Sequence, residues 1–233
     1  MARVVIFGNG QTAELTLARI RRDTDHVAVG FTVDRNFIQS QTLHDLPVVP
    51  FDEVVKHWSP EHHSMLIAVG PTHVNRIRSE RFRAAREMGY PFISLISPRA
   101  DVWPGVEIGD NCIIGDGCSV LPFSRIGDDV HLSSGCIVSH HCTIGDHGFL
   151  GPGVVIAGSV TIESHVFLGA GAVLRDGITV RESSLIGAGV VLNCDTKPSS
   201  VFAAPAATPL PISSDRLPSS IRPRQAPPSS NDG

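Results

Sequence analysis

The chain of 233 residues is short of several features that mark common protein classes. Positive charge is not in excess: 19 Lys and Arg against 23 Asp and Glu leave a formal net charge of -4, without a basic footprint for nucleic acid. Long apolar runs are missing. The opening MARVVIFGNG carries one Arg and an apolar stretch far shorter than a secretion signal or membrane span, and it runs straight into a glycine turn. The expectation is a soluble, cytoplasmic protein that binds neither nucleic acid nor membrane. The five cysteines include no CxxC pair, and a cytosolic setting disfavours disulfides, so reduced thiols are the default. The stretch VSHHCTIGDHGFLGPG, Val138 to Gly153, holds three histidines but neither a helical nor an ordinary amphipathic-strand pattern. What is present, 42% hydrophobic against 18% charged residues, suffices for a sizeable core in one or two domains.

An internal repeat decides the architecture. Stepping by six from Val102, the chain places an aliphatic residue at every one of sixteen steps, through Ile108, Ile114, Val120 and onward to Leu192. Four residues after each comes a second, mostly small set, among them Val106, Cys112, Cys118, Val130, Cys136, Cys142, Val154 and Ala172. Both sets must point inward. Glycine recurs directly after the aliphatic residue, as in IGDN, IGDD, LGPG and IGAG, which suits a corner with unusual backbone angles. This period predicts a parallel β-helix, with three hexapeptides to a triangular coil and coils stacked about 4.8 Å apart. Four of the cysteines then become small inward packing residues, and only Cys194 falls off the register.

The segment before the repeat reads as a small α/β unit. RVVIF is a buried strand, GNGQTA a glycine turn opening a helix from about residue 12 to 22, and HVAVGFTVD a second strand ending at Asp34. Strand, GxGxxA turn, helix and a terminal acid form a nucleotide-binding arrangement, with phosphate at the helix N-terminus. SMLIAVG, a helix over about 72–88 and PFISLI complete a unit of about 95 residues, too short for a full six-stranded dinucleotide fold. A nucleotide-sugar half-site is expected at Gly8, Asn9, Gly10 and Gln11, with Asp34, Gly70 and Thr72.

With VVIFGNGQTAE, MLIAVGPTHVNRIR, VSHHCTIGD, VVIAGSVTI and SVFAAPA, the chain resembles the hexapeptide-repeat acyltransferases. More narrowly it resembles the sugar acetyltransferases of the sialic acid O-acetyltransferase and UDP-4-amino-sugar N-acetyltransferase type. The resemblance implies a Rossmann-like half domain over 1–98, a left-handed β-helix over 99–197 and a C-terminal extension over 198–233. It implies acetyl-CoA as acyl donor, no metal, a sugar or nucleotide-sugar acceptor and a homotrimer. In the resembling amino-sugar enzymes a histidine stands in the glycine loop where this chain has Gln11.

By the same resemblance His140 is the general base. Histidine is mostly neutral at pH 7 and able to take a proton from an attacking amine or hydroxyl. The family commonly has Asp or Glu next in sequence. Here the neighbour is His141, so either His141 orients the base or a carboxylate such as Asp146 does. A metal cluster of the γ-carbonic anhydrase kind needs a His-x4-His pair, and the repeats contain none; His57 and His62 lie outside them. Adjacent His140 and His141 on an extended segment should also diverge. Asp129, His147 and His165, eighteen residues apart, should stack in one column.

A coenzyme track is expected along a face bare of bulky corners, at Gly151, Gly153, Gly169, Ala170, Gly187 and Ala188. His147, Ala157 and Gly158 are further candidates for contact with the coenzyme. At the end of the helix the family reads GxPAK or GxPAR, and this chain reads AAPAAT, so Ala204 and Pro205 lack the following cation. The Pro- and Ser-rich tail after about Leu210 is expected to be disordered or to drape over a neighbour. A noncatalytic β-helix scaffold that binds a nucleotide sugar or a partner is the competing expectation.

Overall fold

The computed structural model describes residues 1–209 and 211–216. Its N-terminal unit is a five-stranded sheet formed by β1 (Arg3–Phe7), β2 (Val27–Val33), β3 (Thr42–Leu43), β4 (Leu46–Pro50) and β5 (Ser64–Ile67). The strand order is β3-β4-β2-β1-β5, parallel except for β3 against β4. Helices α1 (Gln11–Asp23), α2 (Val54–His57) and α3 (Arg76–Glu87) accompany it. The buried run of β1, Val4 to Phe7, meets two apolar clusters, one holding Leu17 and Ile20 of α1 and the other Phe82 and Ala85 of α3. A strand buried on both faces is what a parallel sheet covered by helices requires.

From Leu95–Ile96 onward the chain winds as a left-handed parallel β-helix of two-residue strands. Three sheets of six, five and seven strands form the sides of the prism, and partners are separated by eighteen residues, as in Val120 with Val138 and Val138 with Ile156, except for the last pair, Leu185 with Val201. The repeat set and the small set together fill the interior: Ile114, Leu132, Leu150 and Leu168 pack with Cys112, Cys118, Cys136 and Cys142 in one continuous core. All four thiols are buried and Cys194 is exposed.

Several local expectations are corrected. PFISLI does not complete the N-terminal sheet: Phe92 makes one bridge to Met65, while Leu95–Ile96 pairs with Ile113–Ile114 and starts the β-helix. Strands β3 and β4 lie in a stretch not read as strand. Helix α3 begins at Arg76, four residues after the expected start, because His73, Val74 and Asn75 adopt left-handed backbone angles. After Leu192 the period breaks, yet Val201–Phe202 rejoins the stack beside Leu185–Ile186. Of the expected disordered tail, Leu210 and residues 217–233 lie outside the described residues.

The two units are locked together through one corner of the prism. Arg78 of α3, fully buried, donates from Nε to both carboxylate oxygens of Asp129 at 3.0 Å and from Nη2 to the carbonyls of Asp129 and Gly148. Asn111 donates to Asp129 Oδ1 and accepts the amide of Ile67 in β5. Burial by itself would raise the Asp129 carboxyl; Arg78 and the His147 hydrogen bond outweigh it and hold the group below its ordinary range.

Candidate active site

Each coil has three corners, and they are chemically distinct. The first carries Pro122, His140, Gly158 and Asp176 in one column and Phe123, His141, Ser159 and Gly177 in the next. His140 and His141 do not diverge as an extended segment would make them. His141 has φ 57°, so the chain turns through a left-handed corner that brings the rings together, Nδ1 to Nδ1 at 3.1 Å. One of these nitrogens donates to the other. Their planes are nearly perpendicular, and Phe123 packs against His141 with its centroid 4.7 Å away. His140 lies across Gly158 of the next coil: a methyl there would stand 2.6 Å from its Cε1, 2.9 Å from its Nε2 and 3.2 Å from Asp176 Oδ1. The same Asp176 oxygen accepts the Gly158 amide at 2.9 Å.

The carboxylate that shares Gly158 with this pair is Asp176. Asp146 occupies the second corner, where its Oδ1 accepts the amide of Asp128. Neither Asp176 nor Phe123 was singled out in the sequence. The signal that finds them is the eighteen-residue step, forward from His140 and backward from His141.

The second corner is the column Asn111, Asp129, His147 and His165, stacked as expected and covered by α3. His147 donates from Nδ1 to Asp129 Oδ2 at 2.8 Å, its ring lies 4.7 Å from that of His165, and its side chain is 12% exposed. His165 bonds Ser79 of α3, and burial, then the neighbouring His147, lowers its pKa. This corner is an interdomain seam, and the structure does not bring His147 to the glycine track.

At the third corner the glycines divide in two. Gly151 and Gly169 are buried, and a Cβ on either would strike the amide nitrogen of Ala170 or Ala188 on the next coil; on Gly187 it would meet the carbonyl of Phe202. These three serve coil stacking, as Gly115 does in the same column and Gly145 at the second corner. What faces outward is a ridge of small residues, Pro152 and Gly153, Ala170 and Gly171, Ala188 and Gly189, the glycines at φ 66–68°. Ala157 is half-buried beside Gly158 at the first corner, and Ala204 and Pro205 are exposed after the last strand.

In the N-terminal unit all seven expected contact residues line one cavity of about 580 Å³: Gly8, Asn9, Gly10, Gln11, Asp34, Gly70 and Thr72. Gly8 has φ 124°, and a Cβ there would come within 2.7 Å of the Ala68 carbonyl, so the turn admits only glycine. A Cβ on Gly10 meets nothing within 4 Å and would point into open space. Asn9 is committed to the Phe37 carbonyl. Arg81 of α3, which sequence reading missed, places Nε 3.1 Å from Asp34 Oδ2, at ion-pair distance but off the line of a hydrogen bond. Among the described residues no three His, Cys, Asp or Glu side chains converge as a metal ligand set, and no helix is long and apolar enough to cross a membrane.

Comparison with known proteins agrees with this geometry. The repeats described as bacterial transferase hexapeptide match residues 123–158, and the hexapeptide repeat of succinyl-transferase matches 99–122, 105–140 and 159–194. No curated protein sequence matches the chain. Among solved structures, PerB from Caulobacter crescentus in complex with CoA and GDP-perosamine is 27% identical with a TM-score of 0.74, covering 87% of this chain and 92% of its own. A histidine-to-asparagine variant of perosamine N-acetyltransferase from the same organism, with the same ligands, is 27% identical over 86% of this chain and 93% of its own, TM-score 0.76. The acetyltransferase domain of PglB from Neisseria gonorrhoeae, in complex with acetyl coenzyme A, is 26% identical over 89% of this chain and 98% of its own, TM-score 0.75. The chain thus carries hexapeptide repeats over residues 99–194 and shares its fold over most of its length with these acetyltransferases.

Proposed function

We propose that the protein transfers the acetyl group of acetyl-CoA to an amino or hydroxyl group of a nucleotide-linked sugar, with His140 as the general base. The carrying observation is the His140–His141 pair. With the His140 Nδ1–H donating to Nδ1 of His141, Nε2 of His140 carries the lone pair and is the proton-accepting atom, and Phe123 packs against the helper ring. As the acceptor nitrogen or oxygen bonds to the thioester carbonyl carbon, Nε2 takes its proton. The carbon–sulfur bond then breaks, and the proton passes to the departing sulfur. His141 thus replaces the acid that usually follows the base, and Asp176 adds negative charge on the side of Gly158.

Residues 1–98 serve as the acceptor's nucleotide domain, with the diphosphate at the turn before α1, and residues 99–197 serve as the transferase domain. Among the described residues the amides of Ala170 and Ala188 have no hydrogen-bond partner, which suits a pantetheine arm lying along the small-residue ridge. Base and ridge occupy different corners of one prism, so a complete site needs a second copy, and a cytoplasmic homotrimer supplies it. Solved relatives that hold CoA with a nucleotide sugar, one as a histidine variant, support the same reading. His140→Ala should lower kcat by about 10²-fold or more with the melting temperature unchanged, since His140 is exposed. Near-native turnover in that variant, or activity abolished by a chelator and restored by zinc, would overturn the proposal.

A further inference from the structure

The residues just ahead of α3, PTHVN from Pro71 to Asn75, set local sequence against structure. Thr72 is a favoured N-cap residue and no glycine interrupts the stretch, so the local preference is a right-handed helix from residue 73 onward. The chain instead runs left-handed at three successive residues, His73, Val74 and Asn75, with φ of 52°, 51° and 66°. Asparagine tolerates this region. A β-branched valine there is a genuine outlier, because its Cβ crowds the following carbonyl.

Two sides of the fold meet at this turn. On one side the buried Asn75 donates from Nδ2 to the Val166 carbonyl of the coils at 3.2 Å and accepts from Arg78 Nη1 at 3.3 Å. On the other, Thr72 and His73, with Ile77 of α3, line the cavity at the glycine turn. The left-handed form leaves polar groups open: the amides of His73 and Val74 and the hydroxyl of Thr72 have no hydrogen-bond partner among the described residues. A right-handed start would let Thr72 Oγ1 cap the amide of Val74 or Asn75. Backbone strain persists where the surroundings over-determine it, and it gathers at ligand clamps and switches. Asn75 supplies half of that constraint here, and an acceptor-rich ligand such as a nucleoside diphosphate would supply the rest.

We infer that residues 72–75 form a two-state turn that sets the affinity of this cavity: the left-handed form binds, and a right-handed form that prolongs α3 back to residue 73 does not. A change of hand reverses the course of the chain between Gly70 and Arg76 and so rebuilds the wall that Thr72 and His73 provide. The inference rests on the reading of residues 1–98 as the acceptor's nucleotide domain and adds a conformational control to it. Apparent affinity scales with the fraction of molecules in the competent form, so a substitution that shifts only the backbone preference must shift binding.

The test is isothermal titration of the full-length protein with UDP, GDP and dTDP and with UDP-glucose, GDP-mannose and dTDP-glucose, followed by titration of each variant with the tightest binder. Val74→Gly removes the cost of the left-handed angle and should tighten binding by about threefold or more. Val74→Asn, a residue that tolerates the same angle, should also tighten it, and decides the matter if Val74→Gly does not fold. Val74→Ala trims the side chain but keeps the right-handed preference, so its affinity should stay within about twofold of wild type. His73→Pro fixes φ at about −65° behind an extended residue, the geometry of a helix start, and should weaken binding by about tenfold or more relative to His73→Ala. A turn that is only structural would shift the melting temperature and leave affinity unchanged. Binding that fails to tighten in Val74→Gly and Val74→Asn, or that tightens equally in Val74→Ala, overturns the inference and leaves the proposed reaction standing. Failure of the wild-type protein to bind any of the six ligands overturns the acceptor reading, and the two-state turn with it.

Discussion

Gly158 shows how much one missing side chain does here. Its backbone conformation is ordinary, so the requirement for glycine comes from space: His140 and Asp176 crowd the point where a Cβ would sit. The nearer atoms belong to the end of an exposed side chain, which can swing away at little cost to the fold. Gly158→Ala should therefore leave the melting temperature within about 2 °C of wild type, a shift worth a few tenths of a kcal/mol, while kcat falls at least about tenfold because the base is displaced. Circular dichroism and steady-state kinetics on one preparation check both; unchanged kcat would show that His140 is not held across this glycine in the working enzyme. At this scale the sequence exposed His140 but not its setting. The pairing with His141 depends on a left-handed corner that reads as extended chain, and Asp176 lies 36 positions away.

Among the elements, legibility tracks periodicity. Eighteen-residue coils repeat one solution, so each aliphatic step reinforces the next and the β-helix emerges from the chain alone. Strand β4, LPVVP, has no such support, and prolines at two of its five positions argue against a strand until it is seen at the side of β2, away from the sheet's centre. The start of α3 was hidden by tertiary demands. Asn75, which closes the left-handed turn, sends its side chain to the Val166 carbonyl, and Arg78 must enter the prism corner at Asp129. That seam gives an expected outcome at element scale. Removing one partner of a buried ion pair strands the other, so Arg78→Met should destabilise the protein by about 3–5 kcal/mol in a denaturant titration. Pairing it with Asp129→Asn should recover part of the loss. Equal destabilisation by the single and double variants would mean that the charge pair is not what joins α3 to the coils.

For the whole molecule, the decisive asymmetry lies among the outer faces of the prism. One face presents Glu107, Arg125, Thr143, Thr161 and Thr179, polar at every coil. Another presents Ile137, Val155, Val173 and Val191, with Ile137 43% and Val191 66% exposed. A continuous apolar strip on a rigid prism is the kind of surface that association covers. It borders both the histidine corner and the small-residue ridge, because the corners 134–135 and 140–141 flank the strand Ile137–Val138. Packing strip against a neighbouring prism therefore carries one copy's His140 toward the next copy's ridge, which a single chain cannot do. The expected outcome is a trimer at micromolar concentration by light scattering, and a monomer when Ile137 and Val191 are both replaced by Lys. That double variant should keep its β-sheet circular dichroism, since both side chains point away from the core, yet lose acetyl transfer although His140, Asp176 and the ridge are untouched. An active monomer, from either the wild-type or the double-Lys chain, would show that one prism holds a complete site and that the strip serves another purpose.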